Sequence, residues 1–157
     1  MRPTLALITT IITIAVLYAP QPLLPVFSTD FNVRNSSAAL LISLTLAPLA
    51  LAPLCYGYII ESLSVVTIIR FSLLLLAVSE CAFAFCWDFS ALLTIRIIQG
   101  LTIPAILTSI MTHISISTPK HKLQQMMSHY IAATITGGFL GRLCSGVLAS
   151  FWGWRRF

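Results

Sequence analysis

The sequence predicts an all-α fold, a polytopic membrane bundle of five transmembrane helices, and three observations carry that prediction. Of its 157 residues, 58% are hydrophobic and 8% charged, whereas a soluble domain carries roughly a quarter charged residues. Mean hydropathy is correspondingly high, at +0.97. Apolar runs long enough to cross the hydrocarbon of a bilayer, roughly 20 residues each, recur along the whole chain. Only short polar or proline-rich breaks separate them, which leaves no room for a soluble domain. The lipid bilayer is therefore the first partner. Nine Lys and Arg against four Asp and Glu give a net charge of +5, but the basic residues are scattered. That scatter argues against nucleic acid, which calls for a clustered basic face.

The first span is expected over residues 5–27. Met1-Arg2-Pro3 precedes an uncharged run that is too long for a secretory signal and lacks its small-residue cleavage site. The run ends in Tyr18-Ala19-Pro20-Gln21-Pro22-Leu23-Leu24-Pro25. Pro20 and Pro22 each remove a backbone donor, so this end should be kinked or unwound. Tyr18, Gln21 and Pro22 then mark either a helix terminus at the interface or a bend lining a cavity, where protein or water satisfies the freed carbonyls.

A polar loop, Asp30-Phe31-Asn32-Val33-Arg34-Asn35-Ser36-Ser37, supplies capping residues for a second span over 38–60, with Pro48 and Pro53 as kink sites. A short turn containing Gly57 and Glu61 leads to the third span, 65–87, which carries Glu80. A tight turn at Trp87-Asp88 opens the fourth, 89–116, which carries Arg96. The longest polar break, Ser117-Thr118-Pro119-Lys120-His121-Lys122-Leu123-Gln124-Gln125, precedes a fifth span over 126–152. With the N-terminus inside, Arg2, Arg70, Lys120 and Lys122 are inner, while Arg34, Arg155 and Arg156 are outer. The inner excess of one residue favours a cytoplasmic N-terminus.

Ionisable groups inside such spans are functional candidates, because a charge at bilayer depth is costly unless it meets protein, water or a counter-charge. Arg96, Gln99 and Gly100 share one helix face by their i, i+3, i+4 spacing. Glu80 and Arg96 flank the Trp87-Asp88 turn symmetrically, both roughly 10 Å below the end of the hairpin. They are expected to form a buried ion pair; the other reading is a protonated or water-reaching Glu80 that never meets Arg96. In the fifth span Ala133, Gly137, Gly141, Ser145 and Ala149 recur every fourth residue. Thr134, Gly138, Gly146 and Ser150 run beside them, with Arg142 at the centre of that second row. Small residues at this spacing let another helix approach through its backbone, so Arg142 is expected to point into the bundle. The other reading is an arginine that bonds backbone carbonyls or a lipid headgroup.

No cofactor and no metal are expected. Cys55, Cys81, Cys86 and Cys144 lack metal-ligand spacing and read as small hydrophobes. His113, His121 and His129 read as solvated histidines around one loop. Glu80 is the sole carboxyl within the spans, so acid–base catalysis has no second group, and an enzyme is not expected.

Arg96-Ile97-Ile98-Gln99-Gly100, followed by Pro104, resembles the helix-four motif of major facilitator superfamily transporters. Gly137-Gly138-Phe139-Leu140-Gly141-Arg142 with Gly146 resembles the glycine-rich helix-five motif of the antiporter branch, with arginine where proline is common. The Tyr18–Pro25 stretch and the ending Gly153-Trp154-Arg155-Arg156-Phe157 resemble bacterial members related to drug and sugar efflux permeases. Between the second and third spans Gly57 and Glu61 remain from the family's inner-loop motif, whose bases, part of a latch between the two halves, are absent.

The resemblance implies a family fold of two six-helix halves with the substrate site between them. This chain would be the N-terminal half without its sixth helix. It implies proton-coupled efflux of a small molecule across the inner, cytoplasmic membrane, with Arg96 tied to coupling and Gln99 and Gly100 beside it at the cavity. It also implies that the chain does not transport alone, being either truncated or one part of a split gene in which a separate polypeptide supplies the remaining helices. Two other readings stand beside this one: a non-transporting remnant or packing subunit, and a small self-sufficient carrier acting as a homo-oligomer.

Overall fold

A computed structural model describes residues 3–62 and 64–152. Side chains at 3, 55, 57–62 and 152 fall outside the described set. The surroundings of Gly57 and Glu61 therefore lie outside the described residues, as do Arg2 and the terminal Gly153-Trp154-Arg155-Arg156-Phe157 motif. The described residues form an all-α bundle: α1 (Pro3–Tyr18), a 3₁₀ turn (Gln21–Leu23), α2 (Leu24–Asp30), α3 (Asn35–Ala38), α4 (Leu40–Ser62), α5 (Val65–Ala84), α6 (Phe89–Ser117) and α7 (Lys120–Trp152). Five stretches are long and apolar enough to cross a membrane: Thr4–Asp30, Asn35–Leu54, Val65–Ala84, Phe89–Ser117 and Lys120–Phe151.

The first span is broken where its prolines fall. Neither Pro20 nor Pro22 can donate to the turn before it, so α1 stops at Tyr18 and a 3₁₀ turn carries the chain into α2. Ala19 N–H still reaches the Ala15 carbonyl at 2.9 Å, but the last carbonyls of α1, Leu17 among them, are thereby left without intrahelical partners. α2 closes at Asn32, whose φ of 50° is a conformation asparagine tolerates, with Val33 N–H bonded back to the Ser28 carbonyl at 3.0 Å. Part of the expected 30–37 loop is helical, as α3.

Two boundaries differ from the sequence-based expectation. α5 ends at Ala84 rather than 87, because Asp88 must be extended (φ −106°, ψ 131°) for its carboxylate to cap α6 by accepting from Ala91 N–H at 2.9 Å. Reversing direction before that cap takes up the preceding residues. α7 starts at Lys120, not 126. Thr118, ahead of Pro119, is extended (ψ 131°), as a residue before proline prefers. Helix then resumes at once, with Lys122 N–H bonded to the Pro119 carbonyl at 2.9 Å. Lys, Gln and Leu favour helix regardless of polarity, so a stretch that reads as loop extends the helix instead. α7 is roughly 50 Å long, well beyond the thickness of the hydrocarbon.

α6 is the hub: it packs on α4 and α5 and more lightly on α1 and α7, while α1 and α7 pair with each other. Its buried stripe, Leu92, Arg96, Gln99, Gly100, Ile103, Ile106, Ile110 and Ile114, follows the helical repeat. The polar residues are thus part of the core stripe. One apolar cluster joins Ile14 and Leu17 of α1 and Leu76 of α5 to the α6 isoleucines. A second gathers Leu23, Phe27, Leu41, Phe83 and Leu92, with Phe27 and Phe83 edge-to-face at 6.0 Å. The polar residues of α6 lie between the two along that helix.

Candidate functional site

Arg96 is 1% exposed and Gln99 fully buried. The guanidinium has three fixed acceptors on three helices. Its Nε donates to the Leu41 carbonyl of α4 at 3.1 Å, and Nη2 to the Leu17 carbonyl of α1 at 3.1 Å. Nη1 donates to Gln99 Oε1, within α6, at 2.6 Å. Leu17 belongs to the last turn of α1, whose carbonyls the proline break leaves free. The negative end of a helix attracts a cation as well. The break in the first span and the arginine of the fourth are therefore one feature. The Phe83 ring lies 5.9 Å from the guanidinium carbon, which adds a weaker cation–π contact.

The expected direct pair with Glu80 is not what forms. Gln99 Nε2 donates to Glu80 Oε1 at 2.7 Å, so carboxylate and guanidinium are joined through the amide. The physical reason is directional. Carbonyls on α1 and α4 draw the guanidinium away from α5, while an amide can accept from one partner and donate to the other. Glu80 itself is partly buried. The network thus ties α5 to α1 and α4 by way of α6.

Gly100 sets the approach of α4. A methyl group there would collide with the backbone of Thr45, so only glycine permits this packing. Thr45 in turn donates to the Leu41 carbonyl at 2.8 Å, which therefore accepts from Thr45 as well as Arg96. Across the same seam Tyr56 donates to the Leu101 carbonyl at 2.7 Å, close to the turn that Pro104 weakens.

The two small-residue rows of α7 have different fates. Ala133, Gly137, Gly141 and Ser145 are buried; a methyl group at Gly137 would strike Ile11, and one at Gly141 the backbone of Ala15. The second row borders a groove. Arg142 is exposed and does not point into the bundle as expected. It lies over the Tyr18 ring at 4.0 Å, donates from Nε to Gln21 Oε1 at 2.7 Å, and from Nη1 to the Gly138 carbonyl at 3.2 Å. With α1 already filled against the first row, the second row lies along the edge of that contact, Gly138 buried and Arg142 turned outward. Gly138 packs beside Tyr18, and a methyl group at Gly146 would lie 3.7 Å from Pro22. A concavity of about 340 Å³ lies between Ile14, Tyr18, Thr134, Ile135, Gly138 and Arg142.

The residues singled out by sequence therefore form two assemblies. Glu80, Gln99, Arg96 and Gly100 are one; Tyr18, Gln21, Pro22, Gly138 and Arg142 are the other. Leu17, Leu41, Thr45 and Phe83 complete the first; Leu17, Leu41 and Phe83 are not marked by polarity, since the two leucines act through backbone carbonyls. The prolines at 20 and 22 are the available signal, because they identify where carbonyls are left free.

Five apolar spans around a buried ionic network define a polytopic membrane protein with a polar site inside the bilayer. The chain matches the Major Facilitator Superfamily over residues 6–156 and belongs to that family of transporters. It is 32% identical over 90% of its length to the uncharacterized MFS-type transporter YybF of Bacillus subtilis, covering 35% of that protein. It is 30% identical over 99% of its length to the inner membrane transport protein YnfM of Escherichia coli, covering 37%. The quinolone resistance protein NorA of Staphylococcus aureus is 29% identical over 76% of the chain, which covers 30% of it. The chain thus spans about a third of the length of these relatives.

Proposed function

We propose that this chain is the N-terminal part of a proton-coupled exporter of small molecules, with Glu80, Gln99 and Arg96 as its coupling element. The carrying observation is the unbroken bonded path from the Glu80 carboxylate through Gln99 to Arg96, and from there to carbonyls of α1 and α4. Protonating Glu80 removes the charge that holds the Gln99 amide. The guanidinium then keeps its positive charge with only neutral acceptors around it, and its hold on the α1 and α4 carbonyls changes. That makes a proton at one helix felt at three others. Tyr18, Gln21 and Arg142 form one wall of the substrate path. Further helices, in the same polypeptide or a separate one, supply the opposite wall. The name of NorA supports export, and that of YnfM an inner-membrane location, with the N-terminus cytoplasmic.

The test reconstitutes the chain together with the helices that complete it in proteoliposomes that hold a pH-sensitive dye, with the fluorescent quinolone norfloxacin as probe. Quinolone movement against a counterflow of protons, lost in Glu80→Gln, is expected. Movement indifferent to the pH gradient, or driven equally by sodium, would overturn the proton reading. Transport by the chain alone, in an oligomer of fixed stoichiometry, would favour a self-sufficient carrier. A stably assembled complex with no transport would favour a packing subunit.

A further inference from the structure

At the end of the bundle where α6 hands over to α7, a cavity of about 330 Å³ opens beside the start of α1. Its floor is apolar: Ala6, Ile114 and Met126. Its rim carries His113, Lys122 and His129, with Ser117 and Gln125 among them and no carboxylate among the described residues of the lining. The Ser117 hydroxyl lies 3.5 Å from the His113 ring, so the hydroxyl and a ring nitrogen are side by side at the rim. Neither the transport path nor the buried network uses these groups.

We propose that this cavity binds the phosphate-bearing headgroup of an anionic phospholipid. The donor set suits a phosphate: one lysine, two imidazoles, a hydroxyl and an amide around a hollow whose described lining carries no negative charge. Its place suits a lipid, because it lies at the polar junction, Ser117 to Lys120, of two stretches long and apolar enough to cross a membrane. The charge of the whole end agrees. Arg70, Lys120 and Lys122 belong to the stretches of α5 and α7 that begin at this end, while Asp30 and Asp88 lie at the far end. Anionic leaflets attract basic residues placed in this way.

Native mass spectrometry of the full chain in a zwitterionic detergent, titrated with dioctanoyl-phosphatidylglycerol, dioctanoyl-phosphatidylcholine or inorganic phosphate, tests the site. The glycerol lipid should bind at least about tenfold tighter than the choline lipid, a difference of about 1.4 kcal/mol. The doubly substituted Lys122→Gln, His129→Gln chain should lose that preference. Both residues are exposed, so folding should survive, with helical circular dichroism as the check. Lys120→Gln, outside the lining, should keep the preference. Equal binding of the two lipids, or equal loss in Lys120→Gln, would overturn the site in favour of general surface charge. Inorganic phosphate binding as tightly as the glycerol lipid would overturn lipid as its occupant.

Discussion

Arg96 and Arg142 are both arginines within apolar spans, and they end in opposite circumstances. Arg96 is sealed in, and its guanidinium bonds reach three different helices: α1, α4 and its own α6. Arg142 lies on an open groove, flat against Tyr18 and tied to Gln21 and its own helix. The difference is one of available acceptors. α1 runs out of donors at its prolines, so Arg96 meets a carbonyl that its own helix leaves free. The backbone around Arg142 is continuous helix, and beyond the Gly138 carbonyl of its own helix its guanidinium turns to a side chain and a ring. An arginine inside a bundle is thus explained by a defect in a neighbouring helix, and one at its surface by the groove it borders.

The comparison is broken most directly by removing each charge. Arg96→Leu should destabilise the fold by about 3–5 kcal/mol, as expected when one partner of a buried ionic network is removed. Arg142→Leu should stay within about 0.5 kcal/mol, as for surface substitutions. Reversible unfolding in mixed SDS micelles, followed by circular dichroism, measures both; equal losses would show that the two arginines carry the same structural weight. Next in size is Gln99→Leu, which strands a donor of Arg96 and an acceptor of Glu80 at about 2 kcal/mol in total. If guanidinium and carboxylate close directly in its absence, the loss will be near zero, and the amide is then dispensable.

The glycines of α7 sharpen the contrast between its two rows. Gly141→Ala drives a methyl group into the Ala15 backbone and should cost about 1–3 kcal/mol. Gly146→Ala meets Pro22 at an ordinary 3.7 Å, so it should be neutral or stabilising by up to about 1 kcal/mol, since alanine is the better helix former. Opposite signs in the same unfolding assay are the expected result. A comparably small effect, about 0.5 kcal/mol, belongs to Tyr18→Leu, which removes the ring under Arg142. Its absorbance counterpart, a shift of the tyrosine band in Arg142→Leu, should accompany it.

Much of the bundle is legible in the sequence because composition and run length settle how many spans there are, and prolines settle where one breaks. The face shared by Arg96, Gln99 and Gly100 follows from helical spacing alone. Rise per residue places Glu80 and Arg96 at similar depth, but depth says nothing about direction around a helix. Direction here is decided by carbonyls of Leu17 and Leu41, which have no side-chain signature. The start of α7 is hidden because a polar stretch resembles a loop, although Lys120 to Gln125 form helix readily. The outward turn of Arg142 is hidden for a related reason. Two adjacent rows of small residues look alike in sequence, and only the partner, α1, determines which of them is covered.

The covered row has a mechanical consequence. Gly137 and Gly141 meet Ile11 and Ala15 in the same chain direction, with no space for a methyl group at either contact. Sliding α7 by one turn one way would set Ser145 against Ala15; the other way would set Ala133 against Ile11. Both slides insert a Cβ where backbone already stands. The two glycines therefore act as a two-toothed key with one seating, which locks α1 and α7 together as a single rigid strut.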